Sequence, residues 1–128
     1  MTRSIETTID LGMDEAEVEV RRALGEEGFG VLTEIDVAAT LAAKLGVQRA
    51  PLRILGACNP DLAHRALQAD PTVSLLLPCN VVLEPAGTGT RIAAADPTDM
   101  LGTVAIAEEA GEKLRRVFER LGALASPG

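Results

Sequence analysis

Residues 79–95 constrain the fold of this 128-residue chain more than any other stretch. Residues 79–84 read as an apolar strand and residues 90–95 as its partner. Between them Pro85-Ala86-Gly87-Thr88-Gly89 supplies the turn residues a hairpin needs. Strands joined this tightly run antiparallel. Whatever sheet the chain builds is therefore at least partly antiparallel, which favours a two-layer α+β sandwich, a mainly antiparallel sheet packed with helices. A mixed α/β sheet is the alternative.

The rest of the chain supplies the other layers. Residues 4–11 alternate, with Ile5, Thr7, Ile9 and Leu11 on one face, as a half-buried strand does. Gly12 breaks it, and Asp14 with Glu17 forms a candidate capping box for a helix. Ala16, Val20, Ala23 and Leu24 fall at helical spacing, and Gly28 suits the helix end. Residues 29–35 read as a strand. Asp36 then caps a short helix over 37–45, closed by Gly46. Residues 52–58 are apolar on both faces, which places that strand centrally. Asn59 and Pro60 suit the cap and first position of a helix that stops before Asp70-Pro71. Residues 73–77 read as extended, and residues 96–99 as a break. A last helix sets Ile106, Ala110, Leu114, Val117, Phe118 and Leu121 on one face, weakened at Gly111 by about 1 kcal/mol relative to Ala. Residues 123–128 are expected to fray.

Length makes this a single domain, residues 1–128. Its core must be aliphatic, because the chain holds two Phe and no Trp or Tyr. That scarcity leaves no platform for stacking bases. A net charge of −7 likewise disfavours phosphate contacts, so no nucleic-acid partner is expected. No apolar run is long enough to span a membrane, and no secretory leader is legible at the start. The expectation is a cytoplasmic protein with two reduced thiols.

Chemistry concentrates in two Cys-Asn pairs, Cys58-Asn59 and Cys79-Asn80. Cys58 stands just ahead of a helix N-terminus, where partial positive charge favours a thiolate. If residues 72–77 return along the helix, Cys79 enters the sheet where Cys58 leaves it. Cys58, His64 and Cys79 are then a candidate soft-metal set for zinc or copper, although no CxxC or HxxxH spacing supports it. Equally, both thiols read as small buried apolar groups and His64 as a surface residue. Asn59 is accounted for by capping. Asn80 lies on a strand between apolar residues, so it reads as a buried amide tied to the returning loop or as a ligand contact. Glu34 and Asp36 form a carboxylate pair suited to acid–base work if their affinities for protons split, or else a surface group and a cap. Gly87-Thr88-Gly89 lacks the lysine and helix of a phosphate loop. No dinucleotide or nucleophile-elbow motif is present, so no cofactor is expected.

Three stretches together resemble the bacterial domain of unknown function family numbered 302. They are Gly28-Phe29-Gly30-Val31-Leu32-Thr33-Glu34-Ile35-Asp36, Ile54-Leu55-Gly56-Ala57-Cys58-Asn59-Pro60 and Leu75-Leu76-Leu77-Pro78-Cys79-Asn80-Val81. The resemblance implies a TATA-binding-protein-like α+β fold, commonly dimeric in crystals, without implying DNA binding. It marks Thr33, Glu34, Asp36, Cys58, Asn59, Pro60, Cys79 and Asn80 as motif residues and gives them no role.

Three readings of function follow. The first is a non-enzymatic homodimer that binds a small, partly apolar ligand through Thr33, Cys58, Asn59, Cys79 and Asn80. The second is a thiol redox or soft-metal protein using Cys58 and Cys79. The third is a structural dimerisation module, which a solid core and an apolar outer face would favour.

Overall fold

A computed structural model describes residues 3–101 and 105–124. Five strands form one sheet: β1 (Ser4–Ile9), β2 (Gly30–Asp36), β3 (Arg53–Cys58), β4 (Cys79–Ala86) and β5 (Gly89–Ala95). The order is β1-β5-β4-β3-β2, and every neighbouring pair is antiparallel. The expected α+β sandwich is therefore correct, and the mixed sheet is excluded among the described residues. The helices are α1 (Met13–Glu26), α2 (Val37–Leu45), α3 (Pro60–Ala69), α4 (Pro97–Leu101) and α5 (Ala105–Gly122).

One face of the sheet carries the core. Ile9, Leu55, Ala57, Val81, Leu83, Ile92 and Ala94 point toward α1 and α5. Those helices answer with Ala16, Val20, Ala23 and Leu24, and with Leu114, Val117, Phe118 and Leu121. The helical periodicities read from the sequence are thus the packed faces. β1 and β2 lie at opposite edges, so α1 crosses the sheet between them. Thr90 is the polar exception in this layer. It is fully buried, and its hydroxyl donates to the Leu11 carbonyl at 2.7 Å.

The opposite face is only partly covered. The register aligns Ile35, Ile54, Val82 and Ala93 in one apolar row across four strands. Beside it Glu84 and Glu6 both receive Arg91, at 2.8 and 2.7 Å.

Several local expectations are corrected. α1 has Gly12 at its N-cap position with no side-chain cap. Asp14 instead reaches Arg53 at 2.7 Å, and Glu17 joins the same guanidinium at 3.2 Å. The segment expected to be extended is a 3-10 helix, Pro71–Leu76. Asp70 starts it, accepting from the Thr72 amide at 3.0 Å and its hydroxyl at 2.7 Å, while Pro71 presets the first dihedral. The same Asp-Pro-Thr device at Asp96 starts α4 where a break was expected. Asp36 does cap α2 through the Ala39 amide, and Gly46 closes it with φ 67°. Of the segment expected to fray, residues 125–128 lie outside the described residues.

Candidate functional site

β3 and β4 bring the two Cys-Asn pairs together. Ala57 lies opposite Cys79, so Cys58 is one step from the residue facing Cys79. The chain between them returns, as the neighbouring-thiol geometry requires, but through α3 and the 3-10 helix. Both cysteines are free and line one cavity of about 30 Å³, walled by Phe29, Leu62, Ala66, Leu77 and Ala110. Burial, reinforced by the neighbouring Cys58, pushes the Cys79 thiol above its ordinary value.

Asn59 is committed to structure. Its Oδ1 accepts from the Leu62 amide at 3.3 Å, capping α3, and its Nδ2 donates to the Glu27 carbonyl at 3.1 Å. One side chain thus fastens α3 to the turn after α1, where Gly28 adopts φ 84°. A Cβ on Gly28 would come within 3.0 Å of Asn59 Nδ2. Asn59→Ala should cost about 1–2 kcal/mol, since it removes a cap and strands a carbonyl. Urea unfolding with an unchanged slope would report that loss as a lower midpoint.

Asn80 is not the buried amide expected. It is exposed on the open face, where Thr33, Gly56 and Asn80 share a cross-strand row. Gly56 keeps that row shallow. A Cβ there would overlap Thr33 Oγ1 and approach Pro78 Cγ to 2.8 Å. Thr33 is likewise exposed. The cavity that Asn80 borders, with Leu76, Leu77, Ala95, Pro97 and Met100, again measures about 30 Å³. Ligand pockets run to about 300–1,000 Å³. Among the described residues, the two cavities bordered by Cys58, Asn59, Cys79 and Asn80 are each smaller than that, and Thr33 lines neither.

The three-residue metal set is not assembled either. His64 is exposed and absent from the cavity lining. Among the described residues no three His, Cys, Asp or Glu side chains are placed to share an ion. The carboxylate pair also separates: Asp36 caps α2, and Glu34 accepts from Arg21 at 3.2 Å.

A further feature escaped the sequence reading. α2 carries seven apolar residues in nine and buries none of them. It borders β2 along a wide trough lined by Glu34, Ile35, Asp36, Ala39, Thr40, Ala43 and Lys44. Leu32 on β2 and Leu45 at the end of α2 stand 67% and 70% exposed. The sequence did contain the signal. A helix this apolar on every side is one that is buried somewhere.

The family model described as "Domain of unknown function DUF302" matches residues 5–121. Among solved structures, the chain is similar to an uncharacterized conserved DUF302 protein from Bacillus stearothermophilus. The two are 30% identical with a TM-score of 0.81, over 94% of this chain and 97% of that one. No curated protein matches the chain.

Proposed function

The chain belongs to the DUF302 family, and from that premise we propose that it is a homodimerisation domain whose second copy covers α2 and the adjoining open face of the sheet. The observation that carries this reading is α2 itself, an apolar helix with no buried residue. Isolated helices of fewer than about 12 residues are marginal in water, and packing normally stabilises them. The apolar row from Ile35 to Ala93 runs on beside it, along the edge strand β2.

A second copy fits this surface better than an unrelated partner would. Asp36 stands at the start of α2 and Lys44 in its last turn. Where the two-fold axis lies perpendicular to α2, the two copies of the helix run antiparallel and each Asp36 approaches the other copy's Lys44. That is the self-complementarity an isologous interface requires. An apolar contact also suits chains that each carry −7, because charged surfaces of one sign repel. The two free thiols fit a reducing compartment, the cytoplasm. No helix among the described residues is long and apolar enough to cross a membrane.

Sedimentation equilibrium at micromolar concentration tests the reading. The wild type should be a dimer. Leu45→Glu, at a site exposed in the single chain, should weaken association by about 30-fold or more, the effect of losing one interface hot spot. A wild type that remains monomeric, or a Leu45→Glu variant that dimerises as before, would overturn it.

A further inference from the structure

We propose that Cys58 and Cys79 form a two-coordinate site for a soft monovalent metal ion, copper(I), in the apolar cavity where β3 ends and β4 begins. The proposal is independent of dimerisation.

Three observations converge. First, the end of β3 and the shared cavity together bring the two residues close. Cα atoms of opposed residues in an antiparallel pair lie about 4.5–5.5 Å apart, and Cys58 is one step beyond the residue opposite Cys79. Cys58 is also the last residue of β3, where the chain turns into α3. It borders the same cavity as Cys79.

Second, the cavity has room for a single small guest, at about 30 Å³. Its remaining side chains are apolar except Asn59, whose amide is engaged at both atoms. The wall thus offers two sulfurs and no free oxygen or nitrogen side-chain donor. Zinc takes three or four protein ligands, and calcium and magnesium take oxygens. Thiolates select copper(I), and a d10 monovalent ion is content with two of them.

Third, charge is accommodated. Two thiolates and one monovalent cation leave a single negative charge. That charge falls beside the N-terminus of the ten-residue helix α3, where the backbone dipole favours an anion. In binding, two S–H bonds break and two sulfur–copper bonds form. Both protons pass to solvent and no electron moves.

The test is an anaerobic titration of the reduced full chain with copper(I) against a chromophoric chelator, with zinc(II) as the comparison. The expected result is one copper(I) ion per chain held against the chelator, and no zinc. Cys58→Ser and Cys79→Ser should each abolish binding while keeping the circular dichroism of the wild type. Because Cys79 is partly buried, a second readout uses the unmutated protein. Bound copper(I) should protect both thiols from alkylation by N-ethylmaleimide, as mapped by mass spectrometry. Failure to compete with the chelator would overturn the site. So would binding that survives loss of either cysteine, or alkylation that copper(I) leaves unchanged.

Discussion

Leu83→Ala should destabilise the fold by about 2–5 kcal/mol, toward the upper end of that range. Leu83 is fully buried on β4, the central strand of the five, and its side chain enters the layer beneath α1 and α5. Its cross-strand neighbours on that face are Arg53 and Ile92. Ile92 is stiff at its branch point, and Arg53 is held by Asp14 and Glu17, so neither can collapse into the space left behind. Few large side chains remain to fill it, because the core holds only two aromatic rings, Phe29 and Phe118. Leu75→Ala is the matched control. Leu75 is 84% exposed on the 3-10 helix and should change stability by less than about 0.5 kcal/mol. Equal shifts in the urea midpoint for the two variants would refute this assignment of the core.

The second large effect concerns one added methyl group. Gly89 opens β5 after the turn, opposite Ala86. A Cβ there would overlap the Ile9 carbonyl oxygen, and would lie 3.1 Å from the Ile9 carbonyl carbon and 3.3 Å from Asp10 Cα. All three are backbone atoms, so no rotamer change relieves the contact. The end of β1 must move away from β5, and Gly89→Ala should cost about 3 kcal/mol. At Gly30 a Cβ meets nothing within 4 Å. Gly30→Ala should therefore be neutral or slightly stabilising, through loss of freedom in the unfolded chain. Amide exchange should show β1 losing protection first in the Gly89 variant, because β1 has no other strand partner among the described residues.

What could be read from the sequence was local. The hairpin, the caps at Asp36 and Asn59 and the stripes of α1 and α5 depend on residues within a few positions of one another, and each was legible. What could not be read depended on distant partners. Asp14 looks like a cap until Arg53, 39 residues away, claims its carboxylate. Asn80 looks buried from its immediate apolar neighbours, although alternation sets it with Glu84, opposite Val81 and Leu83. Its exposure follows from the helices covering the face of Val81 and Leu83, which leaves the face of Asn80 and Glu84 open. Thr90 sits at a core position because the Leu11 carbonyl is there to accept its hydroxyl. The thiol pair was half legible. The Cys-Asn repeat marked the residues, but only the antiparallel return put Cys79 next to Ala57. The separation of His64 from them follows from its exposure on α3.

The placement of β1 has a consequence for how the protein is made. Among the described residues β1 pairs only with β5, and Ser4 aligns with Ala95. Synthesis at about 5–20 residues per second separates the emergence of these two strands by several seconds. During that interval β2, β3 and β4 can already pair with one another as each leaves the ribosome. β1 has no edge to join until β5 has followed β4. Its alternation of Ile5, Thr7 and Ile9 with Glu6 and Thr8 keeps a waiting strand half polar, which limits what it can stick to. The first strand is thus the last to find its place in the sheet, and the packing of α5 against the closed sheet then completes the core.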